Sequence, residues 1–172
     1  MKSNTLHLNS NSLLSHIKPF FSSGISSPNL IHHNHSLIFS VGNNIVIDSL
    51  NSQHTLRGHD NSITCMVGHE SGLMVSGQFG SPGNKNYDSP VIVWDIEGKK
   101  GLGYLEGLKE GVKRLAFSEN GKLVGGVSSK NQLIIWNIHS QEQIYVKNFE
   151  SSIDILNFKT DFITFLNNRM LQ

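Results

Sequence analysis

The stretch Val91-Ile92-Val93-Trp94-Asp95-Ile96 decides the reading of this chain, because it returns as Leu133-Ile134-Ile135-Trp136-Asn137-Ile138. The two tryptophans are 42 residues apart. Each closes a short run of β-branched and apolar residues, the composition of a buried strand rather than a helix. Weaker copies fall into the same register. Ile63-Thr64-Cys65-Met66-Val67, Val112 to Phe117 and Ile153 to Phe158 read as equivalent first strands. Leu73-Met74-Val75-Ser76, Lys122-Leu123-Val124-Gly125 and the earlier Leu37-Ile38-Phe39-Ser40 read as second strands. Ile45-Val46-Ile47-Asp48 reads as an early third strand with Ile47 in the place of the tryptophan. His69-Glu70-Ser71-Gly72 and Ser118-Glu119-Asn120-Gly121 stand between first and second strands and carry turn chemistry. No window holds a sustained helical period.

A strand closed by Trp-Asp and repeated at about 40–45 residues marks a four-stranded propeller blade. The expected fold is therefore all-β, with about three to four blades in an incomplete ring. The blocks are a Ser/Asn-rich tail or closing strand over 1–24, a degenerate blade over 25–57, blades over 58–106 and 107–149, and the start of a further blade over 150–172. A blade cannot bury its own apolar faces and must stack on neighbours. Propellers close with about four to eight blades. The sequence thus predicts either a piece of a larger propeller or a ring completed by a second chain.

Composition bounds the function. A net charge of +1 provides no field for nucleic acid or an anionic membrane. No apolar run has the ~18 residues of a membrane-spanning helix. The single cysteine, Cys65, cannot form an internal disulfide and lies on a strand, which points to a buried thiol and a reducing, cytoplasmic setting. Met1 to Gly24 carries Lys2 and Lys18 as its only charges and lacks the arginines of a transit peptide. Leu6 to Leu14 is a candidate extra strand.

Two clusters invite a chemical reading and fit a plainer one. His32, His33 and His35 suggest a metal group, but their register puts them on a turn between strands. Asn34-His35-Ser36 on that turn matches a glycosylation sequon, inert in a cytoplasmic protein. Gly101-Leu102-Gly103-Tyr104-Leu105-Glu106-Gly107 misses the spacing of a dinucleotide loop and reads as a third-to-fourth-strand turn. No cofactor is expected.

The first full repeat carries a longer connection. Gly77 to Trp94 spans 17 positions, against 10 from Gly126 to Trp136, so seven extra residues lie in Gln78 to Pro90. Long loops on a rigid scaffold are where binding concentrates. Gln78, Phe79, Lys85, Asn86 and Tyr87 are the candidate partner-binding residues, with Phe79 and Tyr87 as aromatic anchors.

Gly58-His59 stands 35 residues before Trp94, and this order resembles the WD40 repeat family. The resemblance implies a structural hydrogen-bond chain through His59, Ser76, Trp94 and a turn acid, here Asp88. In the next repeat Leu108 and Gly125 replace the His and Ser, so its network should be absent and that blade should depend more on packing. A catalytic Ser–His pair would need an oriented acid and an oxyanion site, which the sequence does not offer. The series Arg57-Gly58-His59, Ser76-Gly77-Gln78, a long loop, Val91 to Asp95 and Gly111-Val112…Leu115-Ala116-Phe117-Ser118 is similar to the opening blades of microtubule-linked WD40 proteins. Both the echinoderm-microtubule-associated-protein-like group and the cilia- and flagella-associated group share it. That implies a non-catalytic scaffold with tubulin or axonemal partners, in the cytoskeleton, cilium or flagellum. The alternative is an adaptor in signalling or ubiquitin-ligase assembly that recognises a peptide.

Overall fold

The computed structural model describes residues 29–81, 83, 84, 86–159 and 162–167. The proposed tail or closing strand over 1–24, including Leu6 to Leu14, and Lys85 lie outside them. The described residues form strands and turns, with no helix. Accordingly, none is long and apolar enough to cross a membrane.

The strands make three antiparallel four-stranded sheets and one two-stranded sheet. The first holds β1 (Leu30–His33), β2 (Ser36–Val41), β3 (Asn44–Ser49) and β4 (Ser52–Arg57). The second holds β5 (Ile63–Gly68), β6 (Leu73–Gln78), β7 (Val91–Asp95) and β8 (Lys100–Leu105). The third holds β9 (Val112–Phe117), β10 (Leu123–Ser128), β11 (Gln132–Asn137) and β12 (Gln143–Asn148). β13 (Ile153–Lys159) and β14 (Phe162–Asn167) pair as the last. These are blade-like meanders, and they form no closed ring.

The second and third sheets repeat down to single hydrogen bonds. Ile96 N–H donates to Gly72 O at 3.0 Å, and Ile138 N–H to Lys122 O at 2.9 Å. A register shift falls just before each tryptophan, at Val93/Trp94 and Ile135/Trp136.

Three seams of core join the sheets. Ile31, Ile38, Ile45, Ile47 and Leu56 of the first pack on Met74, Ile92 and Trp94 of the second. Val75, Val91, Val93 and Leu105 pack on Leu115, Val124, Ile134 and Trp136. Ala116, Val127 and Leu133 pack on Ile153, Leu156 and Phe158. The first two seams each set a tryptophan against β-branched side chains of the preceding sheet, and close packing fixes their stacking order.

Strand register corrects three expectations. Met74 faces Trp94, and in the first sheet Leu37 faces Asp48. Asp48, and not Ile47, holds the tryptophan position, and Ile47 points into the seam as Val93 does in the next one. His32 and His33 belong to β1, and only Asn34 and His35 form the turn, both at positive φ as a tight two-residue hairpin requires. No group of three metal-binding side chains converges among the described residues. The segment from Gly101 to Leu105 is strand β8 itself, the fourth strand, and no turn.

Candidate functional site

Gly58 brings the chain from β4 to the second sheet with no side chain, and a Cβ there would stand 3.1 Å from both Ile92 and Trp94. This close approach sets His59 beside β6 and β7. His59, Ser76, Gln78 and Trp94 are all buried. Their polar atoms must find partners inside the protein.

They do so in one direction. Trp94 Nε1–H donates to Ser76 Oγ at 2.7 Å. Ser76 Oγ lies 2.6 Å from His59 Nε2, and His59 Nδ1 lies 2.6 Å from Gln78 Oε1. Gln78 Nε2 donates to Asp60 Oδ1 and, at 2.8 Å, to the Tyr87 hydroxyl. That hydroxyl donates to both Asp60 oxygens, at 2.7 and 2.8 Å. An indole has only a proton to give and a carboxylate only lone pairs, so the order between them is fixed. Ser76 donates to Nε2, and neutral His59 carries its proton on Nδ1.

Electrostatics agree with that order. Burial pushes the His59 imidazole below its usual range, against the opposing pull of the Gln78 bond and the Asp60 charge. The bond from Gln78, and then that from Tyr87, hold the Asp60 carboxyl below the usual carboxylate range. Tyr87 is pushed up to about 12, by burial first and then by its bond to Asp60. Ser76 is fully enclosed and accepts the indole proton, so it offers no nucleophile to solvent.

Three residue assignments change. The acid of the chain is Asp60, which directly follows His59, and not Asp88. Asp88 instead accepts from Lys109 Nζ at 2.8 Å and from Gly107 N–H at 2.9 Å. Gln78 is no surface residue of the loop, because its amide is the buried link between His59 and Asp60. The structural counterpart of Ser76 is Gly126, since Val124 faces Trp136 as Met74 faces Trp94. Trp94 lies 20 positions after Met74 and Trp136 lies 12 positions after Val124, so the extra connection is eight residues and not seven. Around Trp136 the network is replaced by packing. Leu108 is enclosed, a Cβ on Gly126 would stand 2.7 Å from the indole, and Trp136 Nε1–H donates to Glu106 O at 3.0 Å.

The long connection is tied to the third sheet. Phe79 bridges to Gly111 and Asp88 to Lys109. Ser89 N–H donates to Leu108 O at 2.8 Å, and Gly111 N–H to Ser89 Oγ at 2.8 Å. Gly80 lies so close that a Cβ would be 2.4 Å from the Glu110 carbonyl carbon. Of the residues expected to bind a partner, Phe79 is 58% exposed and Asn86 is exposed. Tyr87 is half-buried, with its hydroxyl turned to Asp60.

Fold and site together define a blade-repeat β protein whose second sheet is locked by a polar chain. No family model matches the sequence. Curated relatives do: the chain is similar to Cilia- and flagella-associated protein 52 of Bos taurus, at 29% identity over 113 residues. The proteins of the same name from Chlamydomonas reinhardtii and Sus scrofa are 27% and 28% identical to it. Each alignment covers 63% of this chain and 18% of the relative, so the chain spans about a fifth of the length of the proteins it matches.

Proposed function

We propose that this chain is a non-catalytic interaction scaffold of the cilium or flagellum, with tubulin or an axonemal protein as its partner. The similarity to Cilia- and flagella-associated protein 52 in animals and an alga carries the reading. The architecture supports it: the buried Ser–His pair is a strut, and the polar chain holds the long connection in one place. A rigid scaffold carrying an exposed aromatic suits recognition by surface complementarity. Phe79 is the residue assigned to that contact.

Co-sedimentation with polymerised tubulin and with isolated axonemes tests the proposal. Binding to either, weakened at least tenfold by Phe79→Ala, is the expected result. Binding to neither, with capture instead of ligase or signalling subunits, would move the chain to the adaptor class.

A further inference from the structure

Asn120-Gly121 is the one Asn-Gly pair in the chain. An asparagine side chain is open to attack by the backbone nitrogen that follows it, and glycine leaves that nitrogen uncrowded because it has no Cβ. The fold requires this same glycine. Gly121 has φ 69°, and a Cβ there would stand 2.7 Å from His69 Cε1. The residue that makes Asn120 reactive is therefore one that the turn between β9 and β10 cannot exchange.

Native geometry holds the reaction back. Gly121 N–H donates to Ser118 O at 2.9 Å, so the proton that must leave before the nitrogen can attack is already held. Asn120 Oδ1 accepts from Ser118 Oγ–H at 2.8 Å and from Lys122 N–H at 2.9 Å, which fixes the amide in place. The second sheet clamps this turn from the side. Ser71 N–H donates to His69 Nδ1 at 3.2 Å, so neutral His69 carries its proton on Nε2 and donates it to Glu119 O at 3.0 Å. The His69 ring also lies against Phe117, with 5.5 Å between ring centroids.

We propose that Asn120 is a site of spontaneous backbone modification, guarded by the contact of His69 with its turn. Gly121 N bonds to Asn120 Cγ, its proton passes to hydroxide, and the side-chain nitrogen leaves as ammonia after taking a proton from water. Water then opens the resulting five-membered imide at either carbonyl. One opening gives aspartate, which keeps the main chain as it was. The other gives isoaspartate, whose main chain runs through Cβ and Cγ and is one carbon longer. An extra carbon inside a turn closed by the bond from Gly121 N–H to Ser118 O opens that closure and shifts Glu119 O away from His69. Conversion thus follows local opening of the turn and loosens the seam between the second and third sheets.

Incubation of the full chain at about pH 8 and about 37 °C, native and in urea, tests the proposal by peptide mapping and enzymatic methylation of isoaspartate. In urea Asn120 should convert faster than every other asparagine, and native protein should convert there at least tenfold more slowly. His69→Ala should narrow that gap at least threefold, with a near-native circular dichroism spectrum. In the unaltered chain, urea below the unfolding transition should speed conversion in step with amide hydrogen exchange at Gly121, a readout that needs no variant to fold. Asn120→Asp, which imitates the aspartate product, should melt as the unaltered chain does, and the isolated isoaspartate form should melt lower. Another asparagine converting first, or equal rates in native and unfolded chains, would overturn the proposal. So would native conversion that ignores both His69→Ala and the exchange rate at Gly121.

Discussion

Trp94 and Ser76 are joined diagonally across β6 and β7 by an indole N–H···Oγ bond of 2.7 Å. Ser76→Ala would leave that N–H and His59 Nε2 without their partner inside a closed core. A loss of about 1–3 kcal/mol is expected, read from urea unfolding. In Ser76→Ala/Trp94→Phe the orphaned donor is gone as well, so the double loss should be smaller than the sum of the singles.

His59 makes stability depend on pH. Its native value lies below the usual 6.5, chiefly through burial. The unfolded chain therefore takes up a proton near pH 6.5 while the native chain does not. Stability from this group is complete above that pH and is lost progressively as the pH falls from there towards the native value. The melting temperature should drop between about pH 7 and about pH 5. His59→Gln should melt lower at pH 7 and show a shallower pH dependence. Equal slopes for the two proteins would remove His59 from this account.

Gly126 looks replaceable by the Ser found in the neighbouring blade, and the geometry says otherwise. A Cβ would meet Trp136 at 2.7 Å and Leu108 at 2.9 Å. Gly126→Ser should destabilise by about 1–3 kcal/mol through overpacking, measured by chemical denaturation.

Tyr87 and Phe79 separate stability from binding. Tyr87→Phe removes the hydroxyl donor to Asp60 and should cost at most about 1.5–3 kcal/mol, the range for bonds to a charged group, because Asp60 is exposed. Its affinity for a partner should hardly change. Phe79→Ala should show the reverse pattern: a near-normal melting curve and weakened binding.

Burial pushes the Cys65 thiol up to about 11. Iodoacetamide at pH 8 should therefore label the native protein slowly and the urea-unfolded protein rapidly, as intact mass spectrometry would show.

The blades were legible because tryptophan is rare and bulky, and two copies at one spacing fix a register. The fourth strands were not. β12 is exposed along its whole length, so Gln143-Ile144-Tyr145-Val146-Lys147-Asn148 carries no alternation to read. In the first sheet, Ile45-Val46-Ile47 is apolar on both faces, and without a tryptophan either phase fits the pattern. Asp60 was hidden for a different reason. It sits beside His59 in sequence, yet its link to that ring runs through Gln78 at the end of β6. Gln78 itself reads as a loop residue until its amide is seen between an imidazole and a carboxylate.

The one-way order of donors from Trp94 to Asp60 also guards against mispairing. A two-residue slip of β6 along β7 preserves the alternation of faces, so apolar burial alone tolerates it. Such a slip would set Met74 or Gln78 level with Ile92 in place of Ser76. The indole would lose its acceptor, and the imidazole would lose one of its two partners. The network thus works as a checksum on strand alignment: a single shifted pairing severs the chain at Ser76, between the indole and the imidazole.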